Sequence, residues 1–337
     1  MTLRHLQVFF LLLLTSVGAH AQGKRFTFQE NKMGSPFSII LYCPDSVKAK
    51  ELSLKCFTLV DSLVAIYSDY ILDSELNRLS NSAGSNTTFK CSAALFDILK
   101  LSKKAFEESK GTFDITLGPL THLWREHRKT KVFPDSSLVK KKLELTGFDK
   151  LKLDTVNQSA LMTLKGMQLD LGGIAQGYIA QKTINLLKSN GIDNALVDVS
   201  GDIVCIGTPP DKDGWTIAVS VPKNESELLS RQLIVSNCAV TTSGDIHQFI
   251  EHKGKRYSHL IDPSSGYGIT SQQNVTVIAN DGTVADWLTK ACSILPKKEA
   301  MKLAKRQNAA LLIVESKKTK VVLYSSKNFK QFWRTSK

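Results

Sequence analysis

No CxxC pair and no Cys/His cluster at ligand spacing occurs in this chain. Its cysteines, Cys43, Cys56, Cys91, Cys205, Cys238 and Cys292, stand singly, which excludes a zinc ribbon or finger. Most lie in apolar surroundings and are expected in the core; an even number permits pairing in an oxidising compartment, but no disulfide is expected. A GxGxxG fingerprint is missing, so a Rossmann dinucleotide site is excluded. No Pro/Ser-rich linker, internal repeat or low-complexity tract divides the chain. Beyond the first 21 residues no run is long and apolar enough to span a bilayer. Acidic residues are the minority, leaving a net charge of +13. The basic residues are scattered, or sit in hairpin-like spots such as Lys253 to Arg256, and are not interleaved with aromatics. That excludes a nucleic-acid binder and favours either a solvated surface or a small phosphate-bearing ligand.

At the N-terminus, Arg4 precedes the apolar run Val8 to Leu14, and Ala19-His20-Ala21 offers small residues where a signal peptidase reads. A signal peptide over 1–21 is expected, with cleavage after Ala21. The rival reading, a membrane anchor, is weakened by Thr15, Ser16, Gly18 and His20, which interrupt the run. The mature protein, 22–337, is therefore expected to be exported, periplasmic or extracytoplasmic, without stable membrane insertion, and to form one unit.

Ser38 to Tyr42 reads as a strand. Cys56, Val60, Leu63 and Tyr67 recur at helical spacing, and a second helix is predicted from about Ser92 to Lys110. Beta-type segments dominate from Leu161: Leu161 to Leu171 with a turn at Lys165-Gly166, Ala195 to Gly207, Trp215 to Val221 and Asn274 to Ala279. Helices are predicted at Ile174 to Asn190, closed by Gly191, and at Ala285 to Ile294, stopped by Pro296. Ala309 to Glu315 and Lys320 to Ser325 read as a terminal hairpin. Strands and helices group irregularly, which gives an α+β fold class.

Four segments carry chemistry. In Leu169-Asp-Leu-Gly-Gly-Ile-Ala-Gln-Gly-Tyr178 a strand is expected to end in Gly172-Gly173 and a helix to begin at once. The glycines admit a ligand close to the backbone, and the N–H groups of the first helical turn suit a pyrophosphate, although a tight structural turn explains the same pattern. Gly111-Thr-Phe-Asp114 places an aromatic ring and a carboxylate in a loop where they could flank a flat ligand, or where Phe113 simply enters the core. Thr241-Thr-Ser-Gly-Asp245 is followed by Arg256-Tyr-Ser-His-Leu-Ile-Asp262, which supplies His259 for proton transfer. Asp286 shares a helical face with the residue four positions on; it could hold Mg2+, or could complete a capping box with Thr283.

In this order the segments resemble the ApbE family of FAD:protein FMN transferases over nearly the whole mature chain, from Met33-Gly34-Ser35 through Tyr70 and Asp73-Ser-Glu-Leu-Asn-Arg-Leu79 to Arg256-Tyr-Ser-His-Leu-Ile-Asp262. The resemblance implies an ApbE-like fold in which Met33, Tyr70, Thr112, Phe113, Asp114, Gly172, Gly173, Tyr178 and Ile261 hold FAD. It implies Mg2+ at the pyrophosphate, held by the backbone oxygen of Ala175, by Asp286 and at Thr289 or the residue after it. At that last position the family commonly carries threonine, and this chain has Lys290. A second departure is Gln176, where the family usually has a charged residue. An ammonium cannot ligate a cation, so Lys290 is expected to contact the FAD phosphates directly, or else to point to solvent.

The activity implied is transfer of FMN from FAD to a Thr or Ser of an exported redox protein, with release of AMP. The acceptor carries an Asp-x-x-Ser/Thr-Gly-Ala-Ser/Thr motif, which this chain lacks. His259, Asp286 and Lys290 are the expected catalytic residues, His259 as base, with Asp262 or Asp245 orienting it. The alternatives are an FAD pyrophosphatase and a flavin-binding protein whose metal chemistry Lys290 has impaired.

Overall fold

The computed structural model describes residues 23–221, 224–244, 248–317 and 320–334. The signal segment expected over 1–21 lies outside them.

The chain opens with a hairpin, β1 (Lys24–Lys32) and β2 (Ser35–Cys43), turned at Met33-Gly34, both with positive φ. Helices α1 (Ser46–Tyr67) and α2 (Glu75–Asn81) follow, then β3 (Phe89–Lys90), α3 (Ala93–Glu108), α4 (Gly118–Thr130) and α5 (Ser136–Leu143). Next come β4 (Leu151–Asp154), β5 (Ser159–Met162) and α6 (Ala175–Ser189). A run of strands comprises β6 (Ala195–Val199), β7 (Asp202–Ile206), β8 (Trp215–Val221), β9 (Asn224–Val235), β10 (Cys238–Ser243), β11 (Phe249–His252), β12 (Lys255–Ser258) and β13 (Gln273–Ala279). Helices α7 (Gly282–Ile294) and α8 (Lys297–Arg306) and the hairpin β14 (Ala310–Lys317) and β15 (Lys320–Ser325) close it.

The centre is an eight-stranded antiparallel sheet, ordered β1-β2-β6-β7-β10-β13-β14-β15. One face, with Phe37, Ile39, Leu41, Val197, Val277 and Leu311, packs against α1, α6 and α7 in the main core. The other face, with Leu196, Cys205, Val240 and Leu312, is covered by the β8–β9 hairpin through Trp215, Ile217 and Leu233. β13, covered on both faces, is buried along its whole length, its polar Gln273, Asn274 and Thr276 included. A third, smaller core joins α4 and α5 to the β11–β12 hairpin around Trp124, whose indole N–H donates to the Gly266 carbonyl at 2.9 Å. Helices packed on and beside antiparallel sheets make the α+β class expected from the sequence.

One expectation is corrected. The turn expected at Lys165-Gly166 is present, with Gly166 at positive φ, but no strand follows it to Leu171: β5 stops at Met162. The chain then turns so that the Leu169 N–H reaches the Ser80 hydroxyl at 3.2 Å and the Asp170 N–H reaches the Ile115 carbonyl at 2.8 Å. The backbone is satisfied without a sheet partner. Ala195 to Gly207 is β-type as expected, and forms a hairpin turned at Ser200 and Gly201, both with positive φ.

Candidate active site at the α6–α7 crossing

Helices α6 and α7 cross at two glycines. A Cβ on Gly177 would fall 2.1 Å from the Gly282 carbonyl oxygen and 2.6 Å from Asp286 Cβ, so only glycine admits this approach. It brings Asp286, fully buried, to the first turn of α6, where its Oδ2 accepts the Gly177 N–H at 2.9 Å. The capping-box reading is overturned here. Asp281 caps α7, accepting from the N–H groups of Thr283 at 2.8 Å and Val284 at 3.1 Å, which leaves Asp286 for the interior.

Lys290 is one turn further along α7, and its ammonium sits 2.7 Å from Asp286 Oδ1. Its stem lies against the glycine turn: a Cβ on Gly173 would come within 3.2 Å of Lys290 Cγ and 3.1 Å of Phe113 Cε2. Lys290, Phe113 and Gly173 thus converge where α6 begins, and α6 has no side-chain cap. Such a start favours an anion because its dipole is positive, although the N–H groups of Ala175 and Gly177 are already taken by the Leu171 carbonyl and by Asp286.

A second carboxylate faces this junction. Asp202, at the start of β7, is buried, and its pKa is raised by burial and by Asp286 against the pull of Lys290 and a hydrogen bond from Thr241. The Lys290 ammonium remains charged: burial disfavours the charge, but Asp286 and Asp202 outweigh it and raise the pKa. His259 is within electrostatic reach. Burial, Arg128 and Lys290 push its pKa down to about 4, and its Nδ1 is buried without a hydrogen-bond partner among the described residues. The imidazole is therefore neutral at ordinary pH and able to accept a proton.

A third group comes from α4. The Arg125 guanidinium lies over the exposed Tyr70 ring, 4.0 Å from its centroid. Asp69 holds it at 2.8 Å and also meets His122 Nε2 at 3.0 Å. Arg125 is 3.7 Å from Asp170 Oδ2, and Asp170 Oδ1 accepts the Gly172 N–H at 2.7 Å. A polar chain therefore runs from Tyr70 to the glycine turn.

Of the residues singled out from sequence, the structure brings together Phe113, Gly172, Gly173, Asp286 and Lys290, sets His259 beside them electrostatically and ties Tyr70 to them through Arg125. Others stand elsewhere. Tyr178 is buried, edge-on to Tyr67, with its hydroxyl donated to Asp97 at 2.8 Å, so its polar end faces α3 and not the glycine turn. Asp114 caps a 3-10 turn, accepting from the Thr116 N–H at 2.8 Å and the Thr116 hydroxyl at 2.7 Å; burial pushes its pKa up to about 6. Met33 packs on the main core, Thr112 lies in the turn after α3, and Ile261 is buried in the smaller core. Asp262 is a turn residue, accepting from the Ser264 N–H at 2.9 Å and hydroxyl at 2.8 Å. Asp245 lies outside the described residues.

The Mg2+ expectation does not fit the donors present. Both Asp286 oxygens are engaged, one by an N–H and one by an ammonium. The Thr289 hydroxyl donates to the Asp286 backbone carbonyl at 2.7 Å within the buried face of α7. Of the oxygens expected to hold Mg2+, that leaves the Ala175 carbonyl alone. Among the described residues no group of three or more His, Cys, Asp or Glu could hold a metal.

Asp202, Asp69, His122, Arg125 and Arg128 escaped the sequence reading. The last three share one face of α4 at i, i+3 and i+6 spacing, a signal that was present; nothing local marks Asp202.

The ApbE family model matches residues 33–313. The chain belongs to the ApbE family. Among curated relatives it is 28% identical over 302 residues to the FAD:protein FMN transferase of Klebsiella pneumoniae, covering 89% of this chain and 92% of that one. It is 30% identical over 295 residues to that of Treponema pallidum, covering 83% and 81%. Solved structures agree. The flavin transferase ApbE from Vibrio cholerae superposes with a TM-score of 0.83 at 26% identity, covering 92% of this chain and 99% of its own. The Pseudomonas stutzeri flavinyl transferase ApbE, in its apo form, gives 0.82 at 28%, covering 92% and 97%.

Proposed function

We propose that this chain is an FAD:protein FMN transferase, a reading that joins family membership to the chemistry of the α6–α7 crossing. One observation carries it: a lysine ammonium, the positive end of α6 and the Gly172-Gly173 turn converge beside a buried neutral histidine. FAD is the donor substrate. Its diphosphate meets Lys290 and the Gly172-Gly173 turn, while Phe113 and the Tyr70–Arg125 stack offer flat faces to its rings.

The hydroxyl of a Thr or Ser on the acceptor protein attacks the FMN-side phosphorus. A phosphoester bond forms as the bond from that phosphorus to the bridging oxygen breaks, and AMP departs with that oxygen. His259 takes the hydroxyl proton. Positioning and charge neutralisation supply most of the acceleration in transfers of this kind. The acceptor is an exported redox protein carrying the Asp-x-x-Ser/Thr-Gly-Ala-Ser/Thr motif, and the transferase itself is exported by its N-terminal 21 residues.

The test is incubation of the protein with FAD and a domain bearing that motif. Covalent flavin on the domain and an equal amount of AMP are expected. FMN and AMP released without acceptor would make the chain a pyrophosphatase, and bound FAD with no product would make it a binding protein.

A further inference from the structure

We infer that Lys290 takes the place of a divalent cation at the FAD diphosphate, so that FAD binding and FMN transfer by this chain need no metal. The inference rests on the reading of the α6–α7 crossing as the FAD diphosphate site.

Three relations on the structure carry it. First, the ammonium sits 2.7 Å from Asp286 Oδ1, the one oxygen of that carboxylate not taken by the Gly177 N–H. A Mg2+ ion bonds oxygen at about 2.0–2.1 Å, so on that oxygen it would lie against the ammonium, and the two positive charges would repel. Second, the lysine is fixed rather than free to swing away. Its stem packs at Gly173, its head is held by Asp286, and Asp286 is itself held by the Gly177 N–H at 2.9 Å. The carboxylate therefore serves as counter-ion and anchor for the lysine. Third, an ammonium has three donors, and the ion pair with Asp286 engages one. Two remain for diphosphate oxygens arriving at the start of α6.

The charges at the junction agree with this assignment. Asp286 and Lys290 form an ion pair and cancel. An incoming diphosphate thus meets a carboxylate already neutralised by a residue of the chain itself.

The experiment measures FAD affinity by calorimetry for protein stripped with EDTA and for the same protein in millimolar Mg2+, together with Mn2+ binding followed by electron paramagnetic resonance. For the unsubstituted protein the two FAD dissociation constants should agree within about twofold, and the protein should not immobilise Mn2+. Lys290→Thr should bind FAD at least about tenfold more weakly in EDTA, recover in Mg2+ and immobilise Mn2+. Because removal of Lys290 leaves Asp286 buried without its counter-ion, the double substitution Asp286→Asn with Lys290→Met serves as a second variant. It should keep its melting temperature near that of the parent, lose FAD affinity about tenfold or more, and gain nothing from Mg2+. A loss of about tenfold or more on EDTA treatment of the unsubstituted protein, restored by Mg2+, overturns the inference and leaves the transferase reading intact. Cation-independent FAD binding with no covalent flavin on any acceptor overturns the transferase reading and leaves the lysine assignment standing.

Discussion

Gly177 and Gly282 meet at the crossing of α6 and α7 so closely that a Cβ on the first would sit 2.1 Å from the carbonyl oxygen of the second. The pairing of Asp286 with the Gly177 N–H depends on that separation. Gly177→Ala should force the helices apart and cost about 1–3 kcal/mol of stability, as overpacking does. FAD affinity should fall with it, since Lys290 moves with Asp286. Urea unfolding and FAD titration check both effects; a variant that keeps its stability and its FAD affinity would show the crossing to be looser than described.

A pH profile tests the base. Burial first, then Arg128 and Lys290, push the His259 pKa down to about 4. The base is active when neutral, so kcat/KM should hold from neutrality down to pH 5 and fall only as pH approaches about 4. Arg128→Gln removes one of the charges and should move this acid limb upward, towards the ordinary histidine value of about 6.5. His259→Asn should abolish the limb and lower the rate about 10²–10⁴-fold with FAD binding retained. An acid limb already at its ordinary position in the unsubstituted enzyme would remove His259 from the role of base.

Arg125 is a positioning residue. It stacks under Tyr70, is bonded to Asp69 at 2.8 Å and lies 3.7 Å from Asp170. Arg125→Lys keeps the charge and loses the planar fork and the stack. FAD should bind about three- to tenfold more weakly, the size of a cation–π contact, with kcat unchanged at saturating FAD. A matching fall in kcat would place Arg125 in the chemistry instead.

Asp114 gives a stability signature independent of ligand. Its folded pKa is raised to about 6, chiefly by burial, above its value in the unfolded chain. The folded state then binds the proton more tightly than the unfolded state does, so this group favours folding below about pH 4 and loses that contribution as pH rises through about 6. Asp114→Asn keeps an acceptor for the Thr116 N–H and cannot ionise. The difference in unfolding free energy between parent and variant should change by about 2–3 kcal/mol between pH 4 and pH 7. A difference independent of pH would show that the carboxyl is not desolvated.

Local patterns revealed much of this architecture. The β-branched stretch Val275 to Ile278 of β13, the amphipathic α1, the positive φ of Gly191 and the glycine turn before α6 follow from a few neighbouring residues each. What escaped depends on distant partners. Leu169 to Leu171 is apolar enough for a strand, yet its neighbours in space are Ser80 and Ile115. Asp202 is one aspartate in a hairpin until the sheet sets it beside Asp286. Asp114 and Tyr178 lie in segments that correctly marked the family, but their side chains serve a turn and an interior hydrogen bond. A motif fixes where a segment goes more surely than where each of its side chains points.

The crossing of α6 and α7 also sets how much chain the site needs. Gly173 and Gly177 precede Gly282, Asp286 and Lys290 by more than 100 residues, and α7 is seated on β10 and β13. A chain arrested before residue 282 has the glycine turn but neither the lysine nor its anchoring carboxylate. A product truncated there lacks the ammonium to which the proposed function assigns the FAD diphosphate.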